Sequence, residues 1–495
     1  MNLEYLAGQF LRFLQFDREH LLVFQSAAFV ISFLVLYAVY LLVRPSLRLR
    51  NALLLVFSLF FYYKISGAYL LLLLLIAASD FIVGKLIRKS SFFSRYGVLI
   101  SCLFNISFLI YFKYTYFFVD LYNQISGQNF SLAFSIIPPL GISYYIFKSL
   151  SYVIDVDREV IEEPETNFLN YLLFVAYFPN ILAGPVSKAR DLLPLFREQV
   201  RLSRETLYRG TFFIATGLIK KVAIADFIAA NMTVRVFESP GFFSSVDKAM
   251  AAAGGFVQLF FDFAGYTDLV TGLSLLLGFE ISGNFNQPFK ATNISGFWKR
   301  WHMSFYSWLS EYIYQPVAFG LRRHKLAGTL CAIYITFLVS GLWHGASINF
   351  VVWAVLHGTA IALEVFTASL RSRMHRAAGA FYLFISGLLT FFFLIITGLL
   401  LHCPDFTSTI SFAAAIFTRF NPALILPWLE IYYQPFLVLL LGLILQFLPL
   451  SFYRSCLNLW QKLPVFFMSL IVCLIILLLY QMSSLESIPF RYIEF

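Results

Sequence analysis

The sequence predicts an all-α membrane protein whose helices cross the bilayer many times. Of its 495 residues, 60% are hydrophobic and only 13% are charged. The mean hydropathy of +0.78 lies far above that of soluble globular domains. Apolar runs such as 23–43 and 380–401 reach the ~20 residues with which a helix spans a bilayer core. A membrane barrel would instead show alternating strands of about ten residues, so we expect a polytopic helical protein.

Apolar runs follow one another along the chain, and we expect about eleven to thirteen membrane segments from the spanning length of a helix. The runs lie at 22–43, 51–63, 68–83, 97–119, 135–153, 168–182, 211–229, 249–279, 326–343, 347–369, 380–401, 432–450 and 464–482. The turn at 183–185, Ala-Gly-Pro, would be tolerated in a membrane only if it packed inside protein. No repeat or low-complexity linker is visible, so residues 21–495 are expected to form one domain.

The first twenty residues lack the features of a cleavable signal peptide, because Glu4 precedes any basic residue and no small-residue cleavage site follows. Apolar residues recur there at helical spacing: Leu3, Leu6, Phe10, Phe13 and Leu14. This pattern predicts an amphipathic helix at the membrane interface.

The charge balance is basic, with 36 Lys and Arg residues against 26 Asp and Glu residues. A nucleic-acid partner would explain such a balance, but here the basic residues cluster in short loops between apolar runs. The positive-inside rule explains that distribution better and predicts that the loops at 44–50, 85–95, 186–209 and 371–376 are cytoplasmic. We therefore expect membrane lipid, and no nucleic acid, around this chain.

The five cysteines are scattered, mostly in apolar runs, with neither metal-ligand spacing nor a disulfide framework. They are Cys102, Cys331, Cys403, Cys456 and Cys473. We interpret them as packing residues, and we expect no metal site.

Two histidines are the main candidates for catalytic residues, because burying an imidazole in a membrane is energetically costly unless it faces a cavity or a partner. His302 and His344 each follow a tryptophan within the stretch 284–345. His344 lies in an uncharged run, so burial is expected to lower its pKa and keep it neutral as a general base. The alternative is a core histidine bonded to a neighbouring helix. His302 follows two cations and fits an interfacial aromatic belt as well as it fits catalysis.

Other ionisable residues have less specific surroundings. Asp262 and Asp268 could relay protons or pair with Lys or Arg from a neighbouring segment. A further set is expected to be solvated near the ends of spans: His357, Glu364, His375 and His402. Because no nucleophile, phosphate-loop or zinc-peptidase motif is present, any chemistry is expected to proceed by direct transfer with a positioned base.

Four segments, taken in order, resemble the membrane-bound O-acyltransferase family: 261–268 (FDFAGYTD), 284–289 (NFNQPF), 297–304 (FWKRWHMS) and 341–345 (GLWHG). The chain is most similar to the bacterial branch that modifies alginate and teichoic acid. Segments at 139–144, 178–185 and 489–495 resemble the same branch. The likeness extends over nearly the whole chain from about residue 21.

The resemblance implies a ring of helices around a thin centre with a funnel or channel, in a multi-pass protein of the bacterial inner membrane. It also implies that His302 and His344 form the catalytic pair. An acyl group, acetyl most commonly, would come from a cytoplasmic thioester such as acetyl-CoA or an acyl carrier, with no bound cofactor. It would end on an extracytoplasmic polysaccharide, often through a partner acetyltransferase of the SGNH-hydrolase type.

On this interpretation His344 accepts the hydroxyl proton, and His302 positions the thioester or donates to the developing oxyanion. Candidate substrate-binding residues are Trp298, Arg300, Trp301, Trp343, Asp262, Asp268 and Asn286. The basic loop at 188–209 could attract an anionic donor. Two alternatives stay open: a conduit that hands the acyl group to a partner without chemistry of its own, and D-alanyl transfer to teichoic acid.

Overall fold

The computed structural model describes residues 14–18, 21–24 and 26–483, with side chains described as far as residue 477. Over these residues the chain is helical and contains no strand, which confirms the all-α prediction. The predicted interfacial helix at 1–20 and the terminal segment 489–495 lie largely or wholly outside the described residues. The ring of helices around a funnel stays a prediction.

Twenty-one α-helices are used below to locate side chains. In chain order they are α1 (Ala27–Val43), α2 (Leu47–Ser66), α3 (Leu70–Ile87), α4 (Ser91–Leu109), α5 (Thr115–Ser126), α6 (Ile142–Asp157), α7 (Phe168–Ala176), α8 (Ala189–Arg197), α9 (Arg204–Leu218), α10 (Val234–Glu238), α11 (Ser245–Leu276), α12 (Ile294–Trp298), α13 (Met303–Leu309), α14 (Gln315–Gly320), α15 (Lys325–His344), α16 (Ile348–Phe366), α17 (Ala368–His402), α18 (Phe406–Thr418), α19 (Ile425–Phe447), α20 (Leu450–Lys462) and α21 (Val465–Ser483).

Seven helical segments of the described chain are long and apolar enough to cross a membrane, and an eighth is obtained if a bent pair counts as one span. They are Leu47–Ile87, Ser91–Ser126, Ser245–Leu276, Arg322–His344, Ile348–Phe366, Ala368–His402 and Pro422–Phe447, with Leu450–Lys462 and Val465–Leu477 as the bent pair. This count is below the expected eleven to thirteen. The apolar runs at 51–63 and 68–83 fall within one segment, and those at 135–153, 168–182 and 211–229 form shorter or broken helices.

The chain folds as two compact units. The first contains residues up to Gly210 together with Leu273–Ile281, and the second contains Thr211–Gly272 and the chain from Ser282 onward. The expectation of a single domain stays a prediction.

In the first unit, Arg50, at the end of the basic loop 44–50, is fully buried. Its guanidinium donates to the carbonyl oxygens of Glu198 at 2.8 Å and Phe196 at 3.0 Å. The side chain of Asn51 donates to the same Phe196 oxygen at 2.7 Å. These bonds fix the start of α2 against the end of α8, so the basic loops at 44–50 and 186–209 adjoin each other.

Ion pairs and hydrogen bonds bring a third basic loop close to the acidic stretch that precedes α7. Arg88 pairs with Glu159 at 2.7 Å, and Lys85 donates to the carbonyl oxygen of Thr166 at 3.1 Å. Arg197 of α8 pairs with Glu165 at 2.8 Å. Glu165, the partner of Arg197, is buried.

The turn that the sequence predicted to be packed in protein is indeed buried, as is every residue from 171 to 189. Lys148 of α6 donates to the side-chain oxygen of Asn180 at 2.9 Å, and Asn180 donates to Ser187 at 2.7 Å. These bonds satisfy polar groups of an irregular segment that could not face lipid.

In the second unit, α9 and α11 cross at two glycines. A Cβ atom at Gly265 would lie 2.8 Å from the carbonyl oxygen of Gly217, and one at Gly217 would lie 2.8 Å from the oxygen of Gly265. Two backbones can approach this closely only where both residues are glycine, because any side chain would collide with the opposite backbone. The crossing brings Lys220 and Lys221, which follow α9, beside the carboxylates of α11.

Candidate active site

The site is built on the segment 284–303, which precedes α13 and contains α12. The backbone N–H of Asn286 donates to the carbonyl oxygen of Arg300, and that of Met303 donates to the oxygen of Asn284, both at 2.9 Å. The side chain of Asn293 caps α12 by accepting from the N–H of Gly296 at 2.6 Å. These bonds hold the segments 284–286 and 300–303 side by side.

His302 precedes α13 in a left-handed conformation, with φ 44° and ψ 52°. This conformation costs an ordinary L-residue roughly 1–2 kcal/mol, so the surrounding contacts must hold it. The imidazole is fully buried, and its Nδ1 lies 3.0 Å from the side-chain oxygen of Asn284. The same oxygen accepts from the N–H of Ser304 at 3.3 Å and from its hydroxyl at 2.8 Å.

These contacts determine where His302 carries its proton. A backbone N–H can only donate, so the Asn284 atom that faces Ser304 is the amide oxygen, and His302 Nδ1 must donate to it. Burial, with a smaller contribution from nearby His344, holds the pKa of His302 well below its usual range. At neutral pH the ring is therefore uncharged, with Nε2 as its basic nitrogen. This arrangement disfavours the oxyanion-donor role that the sequence suggested for His302, because that role needs a proton on Nε2.

His344 is the last residue of α15 and is buried. Its Nδ1 donates to the carbonyl oxygen of Ser340, one turn earlier, at 2.7 Å. A carbonyl oxygen only accepts, so the neutral ring again has Nε2 as its basic nitrogen. The helix thus orients its terminal imidazole with its own backbone.

One phenyl ring contacts both imidazoles. Phe305 stacks on His302 with ring centroids 4.9 Å apart and meets the ring of His344 edge-on at 5.4 Å. The indole of Trp343 also contacts both, at 6.2 Å from His302 and 5.0 Å from His344. The structure therefore brings together the two histidines that the sequence singled out.

A narrow cavity of about 30 Å³ adjoins His344. Aromatic side chains form much of its wall: Phe256, Phe297, Trp298, Trp301 and Trp353. Helix α17 contributes Leu394, Thr397, Gly398 and Leu401 to the lining. Trp298 and Trp301 were both predicted as site residues, and both lie here.

A third histidine, His357 of α16, lines the same cavity, although the sequence suggested that it was solvated. The indole N–H of Trp298 donates to His357 Nδ1 at 3.3 Å, which makes Nε2 the protonated nitrogen of the neutral ring. That Nε2 lies 3.2 Å from the hydroxyl of Thr397, which donates to the carbonyl oxygen of Phe393 at 2.9 Å. Both nitrogens of His357 are thus engaged, so it has no basic nitrogen to offer a substrate.

Of the three other residues that were expected to be solvated, one is buried, one is exposed and one is half-buried. His402 is buried, with Nδ1 2.9 Å from the carbonyl oxygen of Gly398 and its ring stacked on Phe237 at 4.8 Å. His375 is exposed, as expected. Glu364 is half-buried and accepts from the backbone N–H and the hydroxyl of Ser295, thereby fixing the start of α12. The error for His357 and His402 arose because these apolar helices present one face to the protein, which hydropathy does not reveal.

Arg300 and Asn286, both predicted to bind substrate, lie at the more exposed side of the loop. The guanidinium of Arg300 donates to the carbonyl oxygen of Asn286 at 3.2 Å. Neither residue belongs to the cavity lining given above, so their role as substrate ligands stays a prediction.

Asp262 and Asp268 form ion pairs, which confirms one of the two alternatives drawn from the sequence. Lys221 Nζ lies 2.7 Å from both Asp262 and Asp226. Lys220 pairs with Asp268 at 2.6 Å, and the hydroxyl of Thr216 donates to the same carboxylate at 3.1 Å. These pairs join α11 to the segment after α9. Within the described residues, no three His, Cys, Asp or Glu side chains are placed to hold a metal ion.

Sequence reasoning missed Asn284, Phe305, His357 and Thr397 as parts of the site. Asn284 stands in the segment 284–289 that carried the family resemblance, but Asn286 was chosen as the candidate instead. Phe305 directly follows the segment 297–304. In a chain so rich in aromatic residues, no sequence pattern distinguished it as the ring that contacts both imidazoles. His357 and Thr397 are 40 residues apart along the chain, and only the packing of α16 against α17 brings them together.

Over the described residues, the fold and the site define a helical, multi-pass membrane protein in which two buried histidines, His302 and His344, contact the same phenyl ring and His344 lines a narrow apolar cavity. Comparison with known proteins supplies the class. The sequence model described as MBOAT, membrane-bound O-acyltransferase family, matches residues 156–403, half of the chain. The chain belongs to the membrane-bound O-acyltransferase family, and the expectation of an O-acyltransferase is confirmed at the level of the family.

Three curated relatives show the range of substrates in the branch. The chain is 35% identical to the probable alginate O-acetylase AlgI of Pseudomonas aeruginosa, over 69% of this chain and 66% of that protein. It is 32% identical to the peptidoglycan O-acetyltransferase of Helicobacter pylori, over 55% and 56%. It is 30% identical to the teichoic acid D-alanyltransferase of Bacillus subtilis, over 44% and 56%. The chain thus spans just under two thirds of the alginate relative's length and just over half of the other two.

The buried carboxylates of the second unit generate a pH-dependent prediction. Lys221 faces both Asp226 and Asp262, and burial raises the pKa of Asp226 from 3.8 to about 6, although Lys221 lowers it. A carboxyl group whose pKa is raised on folding stabilises the fold below its unfolded pKa and loses that contribution as pH rises through the folded pKa. Because pH 5 already lies above the unfolded pKa of 3.8, we expect Asp226→Asn to raise the Tm relative to wild type at both pH values, and to raise it more at pH 8 than at pH 5.

Thermal unfolding of the detergent-solubilised protein at both pH values provides the measurement. Asp247→Asn is the control, since Asp247 bonds only to Ser244 near the start of α11 among the contacts described here. An Asp226→Asn variant with the same Tm difference at both pH values would show that Asp226 is ionised throughout this range.

Proposed function

We propose that the protein transfers an acyl group, acetyl in the first instance, from a cytoplasmic thioester donor to hydroxyls of an extracytoplasmic polysaccharide. The observation that carries this proposal is the proton arrangement of His344. Its Nδ1 donates to the carbonyl oxygen of Ser340, which makes Nε2 the basic nitrogen of the neutral ring, and His344 lines an apolar cavity. A neutral imidazole held in one tautomer is a suitable general base for a hydroxyl.

The reaction balances without a protein nucleophile. The acceptor hydroxyl gives its proton to His344 Nε2 while its oxygen attacks the thioester carbonyl carbon. The tetrahedral intermediate then collapses with cleavage of the C–S bond, and the leaving thiolate takes the proton from His344. The products are an ester and a thiol, and the enzyme returns to its initial state. His302, held by Asn284 and in contact with Phe305, would orient the reactants as a second neutral imidazole.

Cytoplasmic entry of the donor is supported by the distribution of charge in the first unit. The basic loops at 44–50, 85–95 and 186–209 are linked by the bonds of Arg50, Lys85 and Arg197. Loops that share one end of a membrane protein and are rich in Arg and Lys favour the cytoplasmic side. An anionic thioester donor would be attracted to such a surface. On this basis we place the protein in the inner membrane of a bacterium.

The nature of the acceptor is supported by the relatives, which are named for alginate, peptidoglycan and teichoic acid. All three are polymers outside the cytoplasmic membrane, so we propose a polysaccharide of this kind as the final acceptor. A partner acetyltransferase of the SGNH-hydrolase type would carry the group onward where the polymer cannot reach the membrane. D-alanyl transfer to teichoic acid is the second candidate, and the teichoic acid relative is what favours it.

Substitutions of the two histidines test which of them is the base. An Asn side chain places its amide nitrogen near the position of histidine Nδ1, so it retains the donor but lacks the base. We expect His344→Ala and His344→Asn to lower transfer about 10²- to 10⁴-fold, the usual contribution of a general base. His302→Asn should retain more activity than His302→Ala, because it keeps a donor to Asn284 and because Asn tolerates the left-handed conformation.

The measurement is the incorporation of labelled acetyl from acetyl-CoA into polymer by membranes that contain equal amounts of each variant. His375→Ala is the matched control, since His375 is exposed. If His344→Asn keeps a substantial rate while His302→Asn loses all activity, the base is His302. If all four variants are as active as wild type, the chain is a conduit and not the transferase.

Cysteine labelling tests the proposed orientation. In a chain whose five cysteines are replaced by Ser, Arg201→Cys should react with a membrane-impermeant maleimide only after spheroplasts are permeabilised, because the loop is expected to be cytoplasmic. Gln128→Cys is the counterpart, as it is exposed just beyond the far end of the span Ser91–Ser126 and should react from outside. The reverse labelling pattern would remove the argument for cytoplasmic donor entry.

A further inference from the structure

A second cavity, larger than the one beside His344, lies in the second unit between the segment around α10 and the first half of α19. Its polar lining residues are Asn231, Arg235, Tyr432 and Gln434. Apolar residues complete the lining: Ala230, Met232, Val236, Phe243, Ile431 and Pro435. The lining contains no carboxylate, so an anion that entered would meet a guanidinium and no group of its own sign.

Two segments that line this cavity depart from regular α-helix. The segment before α10 includes the π-helical turn Ala229–Thr233, and such turns occur frequently at functional sites. In α19, Tyr432 has non-helical dihedral angles, φ −107° and ψ 23°, and Pro435 follows within the helix. Proline has no N–H, so the carbonyl oxygen of Ile431 does not receive the helical bond from that position. This oxygen is a candidate acceptor for a hydroxyl of a ligand.

Arg235 supplies the positive charge of the cavity. It is exposed, whereas the next two residues of α10, Val236 and Phe237, are buried in an apolar cluster. Their packing fixes the backbone that carries the guanidinium. Among the ion pairs of the described residues, none includes Arg235. The guanidinium can therefore form a bidentate pair with the carboxylate or phosphate of a ligand.

The two carboxamides of the lining have hydrogen-bonding capacity beyond their contacts within the protein. The amide nitrogen of Asn231 donates to the carbonyl oxygen of Phe227 at 2.9 Å. That of Gln434 donates to the hydroxyl of Tyr433 at 3.1 Å. Each amide nitrogen carries a second hydrogen and each amide oxygen accepts, so both side chains can also bind hydroxyl groups. A guanidinium beside two carboxamides suits a ligand that carries both an anionic group and hydroxyls.

The packing of α10 indicates at which end of the membrane-spanning helices the cavity lies. Phe237 of α10 stacks on His402, the last residue of α17, with ring centroids 4.8 Å apart. The basic loop 371–376 belongs to the start of the same helix. From its kink at Gly379 to its end, α17 is long enough, at about 1.5 Å per residue, to cross a bilayer core of about 30 Å. With the loop 371–376 on the cytoplasmic side, as the positive-inside rule predicts, the cavity lies at the extracytoplasmic end.

We propose that this cavity binds an anionic, hydroxyl-bearing unit of the acceptor polymer, with Arg235 as the ligand of its carboxylate or phosphate group. Asn231 and Gln434 bind its hydroxyls. The inference rests on the proposed function, in which the acceptor is an extracytoplasmic polymer, and it adds that this polymer is acidic. It also explains an arginine at the end of the helices where the positive-inside rule disfavours one.

Calorimetry with the full chain in nanodiscs of zwitterionic lipid measures this binding separately from turnover. The probes are a hexamer of a uronic acid, a hexamer of glycerol phosphate and, as the neutral counterpart, a hexamer of glucose. We expect one or both acidic hexamers to bind at least about tenfold more tightly than the glucose hexamer, because only they can form the charged pair. The tighter of the two acidic hexamers shows whether the cavity takes a carboxylate or a phosphate.

Arg235→Gln should weaken binding of the acidic hexamer about 10- to 100-fold, the usual effect of losing hydrogen bonds to a charged group. Arg235→Lys should weaken it less, because lysine keeps the charge but not the planar fork. Arg419→Gln is the matched control. It removes the same charge from an exposed residue that does not line the cavity, just after α18, a helix that packs in the same apolar cluster as α10. Since both arginines are exposed, we expect the Tm to be unchanged in all three variants.

The inference is overturned if the glucose hexamer binds as tightly as the acidic ones, if no hexamer binds, or if Arg235→Gln and Arg419→Gln lower the affinity equally. It is also overturned if phosphatidylglycerol copurifies with wild type but not with Arg235→Gln and neither acidic hexamer displaces it, because the cavity then takes a lipid headgroup. Each of these results is compatible with acyl transfer that depends on His344, so the proposed function would survive them. Failure of the proposed function would appear as full transfer activity in His344→Ala, whatever the hexamers bind.

Discussion

Buried polar groups in a water-poor interior must find partners within the protein, and this constraint fixes the proton positions at the site. The Asn284 side chain and the Ser340 carbonyl each accept from the Nδ1 of one imidazole. The same bonds orient the two rings and leave Nε2 as the basic nitrogen of each. The acceptors are themselves fixed, one by Ser304 and the other by the backbone of α15. The chemistry therefore depends on a few oxygen atoms whose positions are set by the local fold.

The walls around the imidazoles follow from the same constraint. Aromatic rings fill the space that water would otherwise occupy, and Phe305 contacts both histidines. The polar groups of Trp298, His357 and Thr397 are bonded to one another within the wall. The lining of the narrow space beside His344 therefore includes three side chains, Trp298, His357 and Thr397, that are held by hydrogen bonds. Such preorganisation is the usual source of electrostatic and positional advantage in an active site.

The sequence predicted the helical membrane class, because composition and hydropathy determine it. It also singled out His302 and His344, which the fold brings together, and it offered ion pairing as one of two alternatives for Asp262 and Asp268. It overestimated the number of long spans, since hydropathy does not distinguish a lipid-facing helix from a short, buried, broken one such as the segment after α9. It placed His357 and His402 in solvent because periodicity cannot tell which face of an apolar helix meets protein. Arg50 and Asn284 were not recognised, because their partners are backbone or side-chain groups that only the tertiary fold supplies.

Under the proposed function, this chain would esterify a polymer at the cell surface through His344. The most direct measurement is the content of alkali-labile acyl esters on surface polymers of a strain that lacks the chain, complemented with wild type or with His344→Ala. The account predicts that the esters are lost, return with wild type, and do not return with His344→Ala although that variant is present in the membrane at the same level. Unchanged esters in the strain that lacks the chain, or full restoration by His344→Ala, would contradict it.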